Sequence, residues 1–204
     1  MKNVFLILVA LLFSFTINAQ GVDLGLKAGL NLSSFSGDDT EDLSMLTGIH
    51  FGAMADISIS DGFSVQPEVL YSTQGTKYSE SDGYDGKLKF NYLNIPVIAK
   101  VEVTDGLNLE AGPQIGFLLS AKDEFNSPGD SGEEDVKEFF KATDFAFALG
   151  LSYEMETGLY LGARYNFGII DVWDTETGFT NRNSVFQFSV GYLFDLAPGT
   201  NSED

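Results

Sequence analysis

Apolar and polar residues alternate strictly along the last long apolar stretch of the chain, Ser184–Leu196. Its even positions carry large apolar side chains, namely Phe186, Phe188, Val190, Tyr192, Phe194 and Leu196. Its odd positions carry mainly small or polar residues, including Gln187, Ser189, Gly191 and Asp195. Because successive side chains of a β-strand point to opposite faces, this period of two predicts a strand with one apolar and one polar face. Such an apolar face suits lipid better than water.

Seven further segments follow the same period, so we predict an all-β fold. The eight predicted strands are Val22–Ser34, Thr47–Ile59, Phe63–Gln74, Lys87–Val103, Leu107–Ala121, Thr143–Met155, Leu159–Ile170 and Ser184–Leu196. Each is long enough for the roughly 9–11 tilted residues with which a strand crosses a bilayer.

Three connections share one form, a three-residue loop that ends in glycine: Ser60-Asp61-Gly62, Thr104-Asp105-Gly106 and Glu156-Thr157-Gly158. On both sides of each loop the apolar side chains fall on odd positions. Residues paired across a hairpin share a face only if such a loop has an odd length. A type I turn followed by a left-handed glycine closes hairpins of this kind, so we predict three tight hairpins.

The remaining connections are longer, polar and acidic: Phe35–Leu46, Thr76–Gly86, Lys122–Ala142 and Asp171–Asn183. Short turns on one rim and long loops on the other are typical of bacterial outer-membrane barrels. The short turns and both termini would then face the periplasm, and the acidic loops would lie outside. Within the longest loop, acidic residues early and lysine late predict a helical turn or two over Glu133–Lys141.

The predicted outward face carries no charged residue within these strands. It includes Leu24, Leu26, Leu30, Phe51, Ile57, Val65, Val69, Ile95, Val97, Leu109, Ile115, Phe117, Phe145, Phe147, Leu149, Leu161, Phe188 and Val190. On the fourth strand Leu88, Phe90 and Tyr92 shift to even positions, and a bulge near Tyr92–Leu93 would reconcile them.

A soluble, lipocalin-like barrel with the same apolar set facing inward is the alternative. So many Phe and Leu side chains would overfill a small barrel, whereas the opposite face is rich in glycine and suits a narrow interior. We therefore predict an eight-stranded antiparallel up-and-down transmembrane β-barrel.

The first residues are expected to be removed. Met1–Ala19 combines Lys2, an apolar core from Val4 to Phe15 and a small residue before Gln20, which predicts a cleaved secretory signal peptide. The barrel domain is then expected over 20–196, followed by a short polar tail, 197–204. Export without any cysteine excludes disulfide bonds and lipid attachment to an N-terminal cysteine. We expect an integral protein of the Gram-negative outer membrane.

The net charge of −19 argues against nucleic acid as a partner, because phosphates would repel the chain. Some charges nevertheless fall on the predicted inward face: Lys27, Asp56, Glu68, Lys100, Glu102, Glu110, Glu154 and Arg164. The hairpin at Thr104–Gly106 places Lys100 opposite Glu110, and Arg164 faces Gly150. Because buried charges must be paired or hydrated, we expect a structural salt-bridge network that fills the lumen. An ion or proton path is the alternative, although an eight-stranded barrel is too narrow for an open channel.

His50, the one histidine, is predicted on the inward face near the loop end of the second strand. A Ser-His-acid site, with Asp56 as a possible acid, would point to acyl hydrolysis of lipids. A single inward histidine is more often a hydrogen-bonded structural residue. The acidic segments Asp38–Asp42 and Asp130–Asp135 lack the spacing of a calcium loop. We predict no catalytic residue, cofactor or metal site.

Several segments together resemble the PorT-like outer-membrane β-barrel proteins of Bacteroidota, small barrels of the OmpX and OmpA type. They are Gly25-Leu-Lys-Ala-Gly-Leu-Asn31, Val65-Gln-Pro-Glu-Val-Leu-Tyr71, Tyr92-Leu-Asn-Ile-Pro-Val97, Glu110-Ala-Gly-Pro-Gln-Ile-Gly116 and Gly191-Tyr-Leu-Phe194. The resemblance implies an eight-stranded outer-membrane barrel. The founding member of that family takes part in type IX protein secretion, but these barrel motifs do not carry that role over.

The last strand also resembles the assembly signal of outer-membrane barrels, with Ser189, Gly191, Phe194 and Leu196 at its characteristic positions. The tail 197–204 departs from the usual pattern, in which the chain ends at the aromatic residue. The partners we expect are outer-membrane lipid, the barrel-insertion machinery and a protein partner at the outer loops. The expected function is a non-enzymatic structural or interaction role, and the alternatives are a part in protein secretion or lipid modification centred on His50.

Overall fold

The structure, a computed structural model, describes residues 21–79, 85–127, 130–174, 178 and 180–194. Its strands are β1 (Val22–Gly37), β2 (Leu43–Ser60), β3 (Phe63–Ser79), β4 (Asp85–Thr104), β5 (Leu107–Ser127), β6 (Asp130–Asp135), β7 (Thr143–Glu154), β8 (Leu159–Gly168) and β9 (Asn181–Phe194). A single 3₁₀ turn, Lys137–Phe139, lies between β6 and β7. In these ranges no helix is long and apolar enough to span a membrane.

Eight of the strands close into a ring. Neighbours follow the order β4-β3-β2-β1-β9-β8-β7-β5, and β5 pairs back onto β4. All of these pairings are antiparallel. β6 pairs with the far end of β5 and stays outside the ring. The predicted eight-stranded antiparallel up-and-down barrel is therefore confirmed.

The three short hairpins have the predicted glycine conformation. Gly62, Gly106 and Gly158 have φ values of 74°, 75° and 86°, in the left-handed region that favours glycine. Register shifts next to the first two loops, between Ser58 and Ser60 and between Glu102 and Thr104, place each glycine in the bulged turn. The parity of apolar residues across these loops thus gave the correct register.

Burial across the barrel wall is the reverse of that in a soluble protein. Leu26 and Phe188 are 59% and 51% exposed, whereas Lys100 and Glu68 are each 2% exposed. Large apolar side chains of every ring strand face outward in this way. A soluble barrel with an apolar interior would show the opposite, so the lipocalin-like alternative is wrong.

The predicted bulge in the fourth strand is wrong. β4 alternates without interruption from Phe90 to Lys100, and both Phe90 and Tyr92 are buried in the lumen. The register shift at this level lies on β5, where Leu119 is the extra residue, because Asn91 pairs with Ser120 and Tyr92 with Leu118. The even-numbered aromatic residues of β4 are interior side chains.

The helical prediction for the longest loop holds only for the 3₁₀ turn Lys137–Phe139. The residues before it form β6, because the extended end of β5 offers free backbone groups to Asp130–Asp135. The predicted signal peptide, residue Leu196 and the tail 197–204 lie outside the described residues.

Candidate functional site

Arg164 lies at the centre of a buried ion cluster in the lumen. It projects from β8 opposite Gly150 of β7, where the missing side chain leaves room for it. Its Nη2 donates to Glu110 Oε2 at 2.7 Å and to Glu68 Oε1 at 3.0 Å. β3, which carries Glu68, is halfway round the ring from β8. The guanidinium therefore bridges opposite walls of the barrel.

Two further side chains complete this central cluster. The Nζ of Lys27 lies 2.8 Å from Glu68 Oε2. The hydroxyl of Tyr160 donates to Glu110 Oε1 at 2.9 Å. Two cations thus face two carboxylates, and all five side chains are buried. Buried charges are tolerated when they are paired and hydrogen bonded, as here.

A second cluster lies nearer the hairpin rim. The Nζ of Lys100 donates to the carboxylates of Asp56 and Glu154, and to Gln66 Oε1 at 3.2 Å. Gln66 in turn donates to Glu68 at 2.7 Å and so joins the two clusters. Lys100 does stand opposite Glu110, as the hairpin register predicts. Glu110 is however held by Arg164 and Tyr160, and Lys100 pairs with the other two acids.

Glu102 does not belong to this network, and that part of the prediction is wrong. Its side chain is exposed, and its Oε1 accepts a hydrogen bond from the backbone amide of Gly106 at 2.9 Å. Glu102 lies next to the hairpin, and its carboxylate accepts from the turn amide instead of pairing with a lumenal cation. The other predicted network residues, Lys27, Asp56, Glu68, Lys100, Glu110, Glu154 and Arg164, all lie in the two clusters.

His50 is the middle member of a hydrogen-bonded series across the lumen. Its Nδ1 lies 2.8 Å from Asn31 Oδ1, and its Nε2 lies 2.8 Å from Ser189 Oγ. The Asn31 amide nitrogen donates to the carbonyls of Ile49 and Thr73, which identifies Oδ1 as the acceptor. His50 therefore carries its proton on Nδ1, and Nε2 accepts from the serine hydroxyl.

This Ser-His-Asn order matches that of a nucleophilic triad, but its surroundings do not match a lipid hydrolase. Ser189 faces the lumen, so the barrel wall separates its hydroxyl from the lipid side. His50 is 1% exposed. Asp56, the acid considered from the sequence, is six residues away along β2, about 20 Å at ~3.4 Å per residue. The arrangement rigidly holds a polar interior, and Asn31 is the partner that the sequence did not reveal.

A cluster of apolar side chains, here called the aromatic plug, fills the loop end of the lumen. Its buried members are Phe35, Phe90, Tyr92, Leu118, Ala121, Phe140 and Val172, with Leu43, Leu88, Val136 and Trp173 packed against them. The ring of Phe140 stacks on Trp173 at 4.6 Å and meets Phe90 edge-on at 4.7 Å. Residues from two long loops thus close the barrel at this end.

The hairpin end of the lumen is polar instead. A cavity of about 410 Å³ lies there, lined among others by Asp23, Asp56, Lys100, Asp105 and Glu154. Acidic residues dominate it, yet no group of three or more His, Cys, Asp or Glu suited to a metal ion occurs within the described ranges. A polar vestibule at the hairpin end therefore reaches the second ion cluster, that of Lys100, Asp56 and Glu154.

The residues of the predicted assembly signal have different environments. Ser189 and Gly191 are half-buried on the lumenal face of β9, and Phe194 is exposed on the outer face. Leu196 lies outside the described residues. Their role in assembly stays a prediction.

Comparison with known proteins gives one family and several solved structures. A family model described as outer membrane protein beta-barrel domain matches residues 18–174, well over half of the chain. A comparison with curated protein sequences returned no match.

Two of the similar solved structures cover most of this chain. The chain is 16% identical to Ail, the attachment invasion locus protein of Yersinia pestis, with 86% of this chain and 100% of Ail covered and a TM-score of 0.52. It is 15% identical to Neisserial surface protein A, with 86% and 100% covered and a TM-score of 0.54. At such identities the likeness concerns the fold alone.

Proposed function

The chain belongs to the family of outer membrane protein beta-barrel domains, and we propose that within it this protein has a non-enzymatic, structural or interaction role. It is an integral outer-membrane β-barrel. The observation that supports the proposed role is the filled lumen, in which paired ions occupy the middle and the aromatic plug occupies the loop end. Within the described residues, this interior offers neither a water-filled channel nor a substrate pocket open to lipid.

The interaction surface in this proposal is the set of long loops and the sheet that extends beyond the barrel. The outer ends of β3, β4 and β5 pair with one another, and β6 adds to β5. This extension carries acidic residues such as Glu133 and Glu134, which would be displayed outside the cell. Export by the signal peptide Met1–Ala19 and cleavage after Ala19 are part of the same proposal.

Electrophoretic mobility and conductance test this proposal. The protein, purified from outer membranes, should migrate faster unboiled than boiled, because a barrel keeps its compact shape in detergent until heated. In planar bilayers it should give no stable open channel. Steady conductance would contradict the closed lumen, and recovery in the soluble periplasmic fraction without a heat-dependent shift would contradict the barrel itself.

A fluorophosphonate probe separates this role from lipid hydrolysis. Ser189 is held by His50 at 2.8 Å but faces a closed lumen, so we expect no labelling of the folded protein. The matched control is Ser189→Ala, which should give the same background. Labelling that disappears in this variant would establish an activated serine and overturn the non-enzymatic role.

Protein secretion is the alternative function; it comes from the resemblance to the PorT-like family, whose barrel motifs do not by themselves carry that role over. Deletion of the gene followed by proteomic analysis of the cell surface tests it. Under the role proposed here, cargo of the type IX pathway continues to reach the surface. Loss of that cargo, restored by the wild-type gene, would instead favour secretion.

A further inference from the structure

Four lysines lie together on the outer face of the extended sheet, and we call them the lysine strip: Lys77, Lys87, Lys89 and Lys122. Lys77 of β3 pairs with Lys87 of β4, and Lys89 of β4 pairs with Lys122 of β5. Directly paired residues of an antiparallel sheet have side chains on one face. Lys87 and Lys89 are two residues apart, so the two pairs share that face.

The strip begins just beyond the apolar band of the barrel. The last complete apolar row on these strands consists of Tyr71, Leu93 and Phe117, and the bulged Leu119 of β5 is exposed just beyond it. The next row away from the membrane centre is polar, with Thr73, Asn91 and Ser120. Lys89 is four residues beyond Leu93, about 13 Å along the strand and about 10 Å along the membrane normal at the usual tilt. Headgroups occupy roughly 5–8 Å on each side of the hydrocarbon core, and lysine side chains can reach back toward them.

The carboxylates on this face lie mainly on the side away from the membrane. Glu124 shares the row of Lys77 and Lys87 and accepts hydrogen bonds from Lys87 and Lys89, which lower the pKa of its carboxyl. Glu133, in the same row, pairs with Lys122. Asp85 lies one row farther out. The row nearest the membrane contains Lys89, Lys122 and one carboxylate, that of Asp135, which pairs with Lys122 across β5 and β6.

The ion pairs within the lysine strip leave its ammonium groups accessible to a phosphate. The side chains of Lys87, Lys89 and Lys122 are 38%, 42% and 45% exposed in these pairs. Exposed pairs are weak, so a phosphate can replace a carboxylate partner. Lys77 forms no ion pair within the described part of the chain, and its side chain is exposed. Lysine binds phosphate as a compact point charge.

From this position and charge we propose that the lysine strip binds the phosphate groups of outer-leaflet lipid headgroups. The inference rests on the proposed function, because it requires the barrel to lie in the outer membrane with the extended sheet outside. Continuity of the strip with the lipid-facing band selects a lipid headgroup over free phosphate. It would anchor this net acidic protein in an anionic leaflet and fix its depth there.

Binding of phosphorylated and dephosphorylated lipid A tests the inference. The full chain in nanodiscs of zwitterionic lipid receives either form at equal concentration, and retention is measured by native mass spectrometry. Wild type should retain the phosphorylated form at least tenfold better, since each lysine near an anionic surface contributes about fivefold. Replacement of all four lysines by glutamine should remove this preference, and replacement by arginine should keep it.

The other possible results of this experiment each overturn one part of the proposal. Equal retention of both lipids, or an unchanged preference in the glutamine variant, would overturn the inference. Inorganic phosphate that competes at the same concentration as the lipid phosphate would overturn the lipid source. The proposed function is checked separately in the same samples by the heat-dependent gel shift. A shifted protein without lipid preference fails only the inference, and an unshifted protein fails the function.

Discussion

At the scale of single residues, Arg164 does most to determine the interior. Four of its hydrogen bonds go to Glu68 and Glu110, from strands that are separate around the ring. Removing one partner of a buried ion pair costs more than the pair contributes, because the remaining charge stays buried and unpaired. Both glutamates would be left with Lys27 as the only cation of the central cluster.

We therefore expect Arg164→Ala to lower the free energy of unfolding by about 3–5 kcal/mol. Urea titration of the protein folded in lipid vesicles, followed by tryptophan fluorescence, measures the change. Lys141→Ala is the matched control, because the hydrogen bond of Lys141 among the described residues goes to a backbone carbonyl, that of Asp171, at 3.1 Å in the loop region. Equal stability of Arg164→Ala and wild type would show that the cluster is not structural.

His50 allows a second prediction about one residue. Replacement by alanine removes the partner of the Ser189 hydroxyl, whereas Asn31 Oδ1 still accepts from Gln187 at 3.2 Å. An unsatisfied buried polar group costs about 1–3 kcal/mol. His50→Gln should recover part of the loss, because its amide can still donate and accept. The same urea titration distinguishes the variants. A His50→Ala protein as stable as wild type would argue that the series Asn31, His50 and Ser189 contributes nothing to folding.

At the scale of elements, the hairpin glycines provide a matched pair. Gly62 and Gly106 occupy the same turn position with nearly the same φ. A Cβ at Gly62 would approach Glu102 Cβ at an ordinary 3.9 Å, whereas a Cβ at Gly106 would lie 2.3 Å from the carbonyl oxygen of Glu154. The first substitution costs only the left-handed conformation, and the second also forces the backbone of β7 to move.

Gly62→Ala should thus destabilise the barrel by about 1–2 kcal/mol, and Gly106→Ala by clearly more. Refolding yield into vesicles and urea midpoints both report the difference. If the two variants have equal midpoints, the close packing of this hairpin against β7 is wrong.

The strands were predictable because period-two alternation and glycine turns are local features of the sequence. The ion-pair partners inside the lumen were not predictable, because Arg164 and Glu68 lie on strands at opposite sides of the barrel. They come into contact only when the ring of strands closes. Lys100 illustrates the same limit. The hairpin register correctly predicts that Lys100 lies opposite Glu110, but the Glu110 carboxylate forms its ion pair with Arg164. The sequence of Asp130–Asp135 predicts an acidic loop, and the segment forms a strand because it pairs with the edge of β5.

The aromatic plug shows a further limit of pattern analysis. Phe90 and Tyr92 on the polar side of β4 suggested a bulge, because parity alone cannot separate a shifted strand from apolar residues that point inward. Their partners Phe140 and Val172 come from loops whose position no periodicity describes. The aromatic plug therefore depends on where the loops lie over the barrel end, which the periodicity of the strands does not predict.

At the scale of the whole molecule, the distribution of apolar and charged side chains is the reverse of that in a soluble protein. An apolar band faces outward, compensated charges fill the middle, and the two rims differ in length and composition. This asymmetry predicts a single orientation, with the hairpins in the periplasm and the extended sheet outside. The absence of cysteine from the chain makes that orientation directly measurable.

Labelling of single cysteines by a membrane-impermeant maleimide tests the central claim most directly. On intact cells Glu133→Cys should react, Asp105→Cys should react only after the outer membrane is permeabilised, and Phe188→Cys should react only after denaturation. Labelling of Phe188→Cys in the folded protein would contradict a lipid-facing band, and labelling of Asp105→Cys on intact cells would contradict the orientation.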